Sequence, residues 1–120
     1  MTLKECYTAM GGDYEDVLGR LRSERLVQKF VLKFLDDGCF DTLCRSLESG
    51  AQEEAFRAAH TIKGMCQNLS FTELEKSSSL MTEALRCGDM AGARELLERL
   101  SRDNERTVEA IRAFQAGMNL

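Results

Sequence analysis

The 120-residue chain has no proline, no tryptophan and a single histidine, His60. Without proline, nothing removes an internal helix hydrogen bond or kinks the backbone, so long uninterrupted helices are permitted. Long apolar runs are also missing. Even the richest stretch, Phe30 to Leu35, is divided by Lys33, whereas a spanning helix needs about 20 predominantly apolar residues. A membrane span is therefore excluded. Lys4 and Glu5, with no apolar run behind them, lack the pattern of a secretory signal, so a cytoplasmic location is expected. No stretch shows the strict period-two alternation of a half-buried strand. No G-x-x-x-x-G-K-S/T phosphate loop occurs either, and no nucleotide site is expected.

Positive charge is in deficit. Sixteen Lys and Arg against twenty Asp and Glu leave a net charge of −4, with a pI near 5.1. A general nucleic-acid binder would need clustered cations to neutralise phosphates, so that class is set aside. The chain is 43% hydrophobic and 30% charged, enough apolar material for one core and too much for a disordered segment. The length suits a single domain over residues 1–120.

Five cysteines are present: Cys6, Cys39, Cys44, Cys66 and Cys87. Their number is odd, no pair has C-x-x-C spacing, and one histidine is too few to complete an ordinary Cys/His site, so no metal centre is expected. Cys44 and Cys66 fall in apolar helical stripes and are expected to be small buried residues in a reducing compartment.

Glycines and cap residues divide the chain into helical pieces. A short amphipathic segment runs from Thr2 to Met10, and Asp13 caps a helix to about Leu21. Ser23 caps a helix to about Asp36, whose stripe is Leu26, Val27, Phe30, Val31, Phe34 and Leu35. Gly38 ends that piece. Phe40, Leu43, Cys44 and Leu47 mark the next, which Gly50 stops. Ser70 followed by Glu73 matches the S-x-x-E capping box and predicts a helix start, with Phe71, Leu74, Ser78, Met81 and Leu85 as its stripe. After Gly88 and Asp89, the positions Ala93, Leu97, Leu100, Asn104, Thr107, Ile111 and Phe114 form the seam of a long final helix. The glycine turns are short enough to force antiparallel neighbours. The expected fold is all-α: an antiparallel up-and-down four-helix bundle of roughly 39–49, 51–69, 71–87 and 90–117, with N-terminal helices in about 2–36 packed across it.

Projecting residues 51–69 at about 100° per residue locates the histidine. Ala51, Ala55, Ala58, Ile62, Met65, Cys66 and Leu69 gather on one side. Glu53, Arg57, His60, Lys63, Gly64, Gln67 and Asn68 gather on the other, so His60 faces away from the apolar stripe. The bland reading is an ordinary solvated histidine. Against it stands Gly64, four residues on, where a helix-interior glycine costs about 1 kcal/mol relative to alanine. A glycine at that position gives the imidazole open space or lets something approach the backbone. Lys63 adds a cation to the same face. A neutral imidazole, whose ordinary pKa is about 6.5, offers a lone pair as a nucleophile at neutral pH. The triplet suits a ring that receives an anionic phosphoryl group.

Ala58-Ala59-His60-Thr61-Ile62-Lys63-Gly64 strongly resembles the acceptor helix of histidine-containing phosphotransfer (HPt) domains, with the pattern H-x-x-K-G intact. The helical plan extends the likeness over most of residues 13–117. The resemblance implies that His60 is the phosphoacceptor, that Lys63 supports the phosphoryl group and that Gly64 keeps the imidazole accessible. It implies a phosphorelay function without ATP-dependent kinase activity, in which the phosphoryl group passes to or from an aspartate of a response-regulator receiver domain or a hybrid sensor kinase. No cofactor is implied in this chain, since the Mg²⁺ belongs to the receiver, and a monomer is expected. Family members usually carry glycine where this chain has Ser70, a departure that the capping role would explain. Phe56 projects toward the histidine side and is expected under the N-terminal helices, with a place in a receiver-docking patch as the alternative. Arg57 and Gln67 are further candidates for partner contact. The competing function is a helical adaptor that binds a receiver or kinase without phosphotransfer, and a cysteine-based metal or redox protein is a third.

Overall fold

Side chains just ahead of the first three helices decide where they begin. In the computed structural model, which describes residues 1–118, Thr2 and Glu5 form a reciprocal capping box that starts α1 (Leu3–Met10). The Asp13 carboxylate accepts from the Asp16 amide at 3.0 Å and starts α2 (Tyr14–Leu21). Ser23 does the same for α3 (Glu24–Phe34) through the Leu26 amide at 3.2 Å. The remaining helices are α4 (Cys39–Ser49), α5 (Gln52–Leu69), α6 (Thr72–Arg86) and α7 (Met90–Met118). Gly50 and Gly88 take left-handed conformations at φ 78° and 75°, which glycine adopts without a Cβ clash, and the chain reverses there. α3 ends two residues earlier than the periodicity suggests, and Gly38 serves as N-cap of α4 instead of terminating α3.

α5 packs between α4 and α6, and α6 packs against α7. The core draws on the predicted stripes, but Leu26, Phe30, Leu35, Phe40 and Leu97 of those stripes are only half-buried, and Leu3, Tyr7, Met10 and Val17 of α1 and α2 join the core. Val31, Leu43, Ile62, Met81, Leu85, Leu100 and Ile111 are almost fully buried. Each such side chain contributes about 1.5–3 kcal/mol of gross hydrophobic stabilisation. Small residues dominate the inner faces of α5 (Ala55, Ala59) and α6 (Ser77, Ser78). The buried hydroxyls of Ser77, Ser78, Thr82 and Thr107 are satisfied within their own helix, as when Thr82 Oγ1 donates to the Ser78 carbonyl at 2.7 Å.

α7, with 29 residues, spans about 43 Å at 1.5 Å per residue, which matches the longest dimension of the molecule, 43 Å. It outruns α5 and α6, which have 18 and 15 residues, and α1 lies against this overhang. Arg106 Nε donates to the Ala9 carbonyl at 2.7 Å. At the joint between the N-terminal helices and the bundle, Phe71 meets the rings of Tyr7 and Phe34, with centroids 5.6 and 5.3 Å away, and Tyr7 meets Tyr14 at 5.8 Å. The buried Tyr7 hydroxyl donates to the Leu69 carbonyl at 2.8 Å.

Ser70 is not the capping residue expected of it. It is the left-handed C-cap of α5, with φ 56° and ψ 40°, and Phe71 occupies the N-cap of α6 without a side-chain cap bond. Its hydroxyl donates to Asp16 at 2.6 Å and accepts from Arg20 at 2.8 Å. Those long-range bonds hold a non-glycine residue where the backbone turns left-handed. The Arg20 guanidinium also pairs with Asp16 and donates to the carbonyls of Gln67 and Asn68, the latter at 2.8 Å. In this way α2 satisfies carbonyls that the end of α5 would otherwise leave unpaired. The hydrogen bond from Ser70, with the charge of Arg20 beside it, holds the Asp16 carboxyl below its ordinary pKa.

Candidate functional site

α5 carries the candidate site residues Phe56, Arg57, His60, Lys63, Gly64 and Gln67. Its buried side is Ala55, Ala58, Ala59, Ile62, Cys66 and Leu69, as the projection predicts except that Ala59 is also buried, Met65 is half-buried, and Ala51 is the half-buried N-cap ahead of the helix. The opposite side presents His60, Gly64 and Gln67 to solvent, with Arg57 exposed on one flank and Lys63 half-buried on the other. A Cβ built on Gly64 would meet nothing within 4 Å. The glycine is thus not required by packing inside the chain, and the surface next to the imidazole is clear.

The imidazole has an aromatic neighbour one turn earlier on its own helix. Phe56 stacks beneath it, with centroids 5.8 Å apart and planes 13° apart. Phe56 is half-buried, but the N-terminal helices do not cover it. Its cover comes from α6, where the Arg86 guanidinium lies 5.2 Å from the ring centroid, in a shallow groove shared with Gln52, Glu53 and Leu85. The α5–α6 contact is fixed there by Gln52 Nε2, which donates to the Leu85 carbonyl at 2.7 Å. Arg57 makes a long ion pair with Glu53 at 4.0 Å, both side chains being well exposed, and such a pair adds little stability. Gln67 lies on the histidine face, and its backbone carbonyl accepts from Arg20.

Arg86 and the Asp16–Arg20–Ser70 cluster had no signal in the sequence taken helix by helix, because each depends on how two elements dock. A cleft of about 470 Å³ between the end of α3 and α5, walled by Phe30, Phe34, Met65 and Leu69 with Lys33 and Asn68 at its edge, escaped for the same reason. Its apolar wall residues carry only an ordinary core pattern.

The buried and half-buried cysteines, Cys6, Cys39, Cys44 and Cys66, are poor nucleophiles. Burial pushes the Cys66 thiol far up and the Cys6 thiol up to about 11. Cys39 rises to about 11 through burial and the nearby Asp37 carboxylate. Raised values keep the thiols protonated at neutral pH. Cys44 is half-buried, not a core residue as its stripe suggests, because α4 turns that flank outward. Among the described residues no group of three or more His, Cys, Asp or Glu side chains is placed to hold a metal ion. No described helix is long and apolar enough to cross a membrane.

Fold and site together define a small helical bundle that displays one imidazole on the solvent face of a central helix, beside a cation and an open glycine. The family model described as Hpt domain matches residues 25–114, well over half of the chain. The chain belongs to the Hpt domain family, whose members carry out histidine phosphotransfer in two-component phosphorelays and interact with receiver domains and kinases. No curated protein and no solved structure gives a significant match.

Proposed function

We propose that this chain is a phosphorelay intermediate in which His60 exchanges a phosphoryl group with an aspartate of a receiver domain. The observation that carries the reading is the exposed imidazole on α5 beside the empty flank at Gly64. A ring nitrogen attacks the phosphorus of the aspartyl phosphate. The N–P bond forms, the P–O bond to the aspartate breaks, and the carboxylate leaves with the bonding electron pair. The ring becomes cationic and releases the proton of its other nitrogen to water. The reverse sequence returns the group to a carboxylate.

Lys63 supports the reading as a cation one turn beyond His60 that offsets charge on the phosphoryl oxygens, and its half-burial limits screening by water. Gly64 leaves the incoming receiver room to close over the ring. Arg57 and Gln67, exposed on the same face, supply polar contacts at the rim of that encounter. The Mg²⁺ that such transfer needs is the receiver's, where carboxylates hold it.

The experiment is transfer from a phosphorylated receiver domain in the presence of Mg²⁺. An acid-labile label on the wild-type protein that is lost in His60→Ala supports the proposal, and a label that persists in His60→Ala defeats it. Lys63→Ala is expected to slow transfer by about 10-fold, the scale of one partly screened charge contact, without changing helical content. Receiver binding with no transfer at all would point instead to the adaptor.

A further inference from the structure

A helix tilts its side chains toward its own N-terminus, so a ring leans over the turn that precedes it. For His60 that turn carries Phe56. The near-parallel planes and the 5.8 Å separation describe an offset stack in the range aromatic pairs prefer. Phe56 is held in turn by Arg86, whose guanidinium covers its ring at 5.2 Å and pairs with Glu83 at 3.3 Å. On the C-terminal side of the imidazole the corresponding position is Gly64, which leaves that space empty. The ring therefore has a floor on one side and free access on the other.

From this juxtaposition we infer that Phe56, braced by Arg86, is a positioning residue for phosphoryl exchange at His60. It holds the imidazole by one face, fixes the ring plane and directs the approach to the flank that Gly64 opens. The inference rests on the reading of His60 as acceptor. A solvent-facing histidine without such a floor samples several staggered rotamers, and only some of them offer a nitrogen in line with the phosphorus. Phe56 touches the ring and not the phosphoryl group. Its loss therefore lowers the rate at saturating donor and leaves the half-saturating donor concentration unchanged.

The single histidine makes the test direct, because the Hδ2 and Hε1 protons of His60 have no other histidine signals to overlap with. Phe56→Leu keeps apolar bulk without a flat face, and Phe56→Tyr keeps the face. In Phe56→Leu the ring-proton resonances are expected to move downfield as ring-current shielding is lost. The transfer rate from saturating phosphorylated receiver should fall about 3- to 10-fold with half-saturation unchanged, and Phe56→Tyr should match wild type in both measurements. Coincident proton signals in wild type and Phe56→Leu, or equal saturating rates, overturn the inference. So does a raised half-saturating concentration with an unchanged rate, which would make Phe56 a docking residue. If Phe56→Leu does not fold, Arg86→Gln carries the test. Arg86 lies at the surface, so its loss releases Phe56 without opening the core, and unchanged ring signals and rate in that variant overturn the inference. A wild-type protein that takes no phosphoryl group from the receiver or from phosphoramidate overturns the parent reading. That result is distinct from failure of the stack, in which wild type and Phe56→Leu are labelled at the same rate.

Discussion

Gly64 costs its helix about 1 kcal/mol relative to alanine, yet a Cβ there would touch no other atom of the chain. On the proposed function, the reason for the glycine lies outside the folded chain, in the receiver that comes close to His60. Gly64→Ala is expected to raise stability by about 0.5–1 kcal/mol in thermal or urea unfolding and to slow phosphoryl acceptance. A stabilised variant with undiminished transfer would remove the proposed role. The cysteines give a second contrast among single residues. Cys87 is exposed, whereas Cys6 and Cys66 are fully buried with thiols pushed up by their surroundings. A thiol reagent at neutral pH should modify Cys87 first and reach Cys6 and Cys66 only on unfolding. Rapid labelling of Cys66 in the native protein would contradict its placement.

Among the elements, the joint between α5 and α6 depends most on distant chain. Ser70 sits in the left-handed region and is held by Asp16 and Arg20 of α2. Ser70→Ala keeps the unfavourable backbone and loses both bonds, so a loss of about 1–2 kcal/mol is expected, whereas Ser70→Gly relieves the backbone and should cost less. The effect has a pH signature. Asp16 has a lowered pKa in the folded protein and about 3.9 when unfolded. Its stabilising contribution is therefore present in full above the unfolded value and is lost as pH falls through the folded one. The stability gap between wild type and Ser70→Ala should narrow below about pH 4, and a gap equally wide at pH 7 and pH 2 would contradict the network. This joint also marks how far the sequence could be read. Helix starts at Asp13 and Ser23 were legible because a cap acts within three residues, and the outward face of His60 was legible because it is a property of one helix. Ser70 was misread because the local S-x-x-E pattern and the long-range bonds to α2 compete for the same hydroxyl, and only docking decides between them. Phe56 on the histidine side of α5 was legible for the same single-helix reason as His60, whereas the cover that Arg86 of α6 gives it was hidden because it depends on docking.

For the molecule as a whole, the family match begins at residue 25, while Leu3, Cys6, Tyr7, Met10 and Val17 belong to the continuous core. At about 1.5–3 kcal/mol for each large side chain, their gross contribution is comparable with the roughly 5–15 kcal/mol net stability of an ordinary domain. A chain starting at Ser23 is therefore expected to unfold at a much lower temperature and to bind a hydrophobic dye through the uncovered Phe71 and Phe114. An unchanged melting temperature would show that α1 and α2 are dispensable to the bundle. The aromatic joint has an optical consequence as well. With no tryptophan in the chain, Tyr7 and Tyr14 are its strongest near-ultraviolet chromophores, and they touch each other where α1 and α2 meet. Tyrosine emission and the tyrosine band of near-ultraviolet dichroism thus report on that joint and on the end of α5 that the Tyr7 hydroxyl touches. The helix that carries His60 has no tyrosine of its own, and an unfolding curve followed through tyrosine speaks for the bundle only if backbone ellipticity melts along with it.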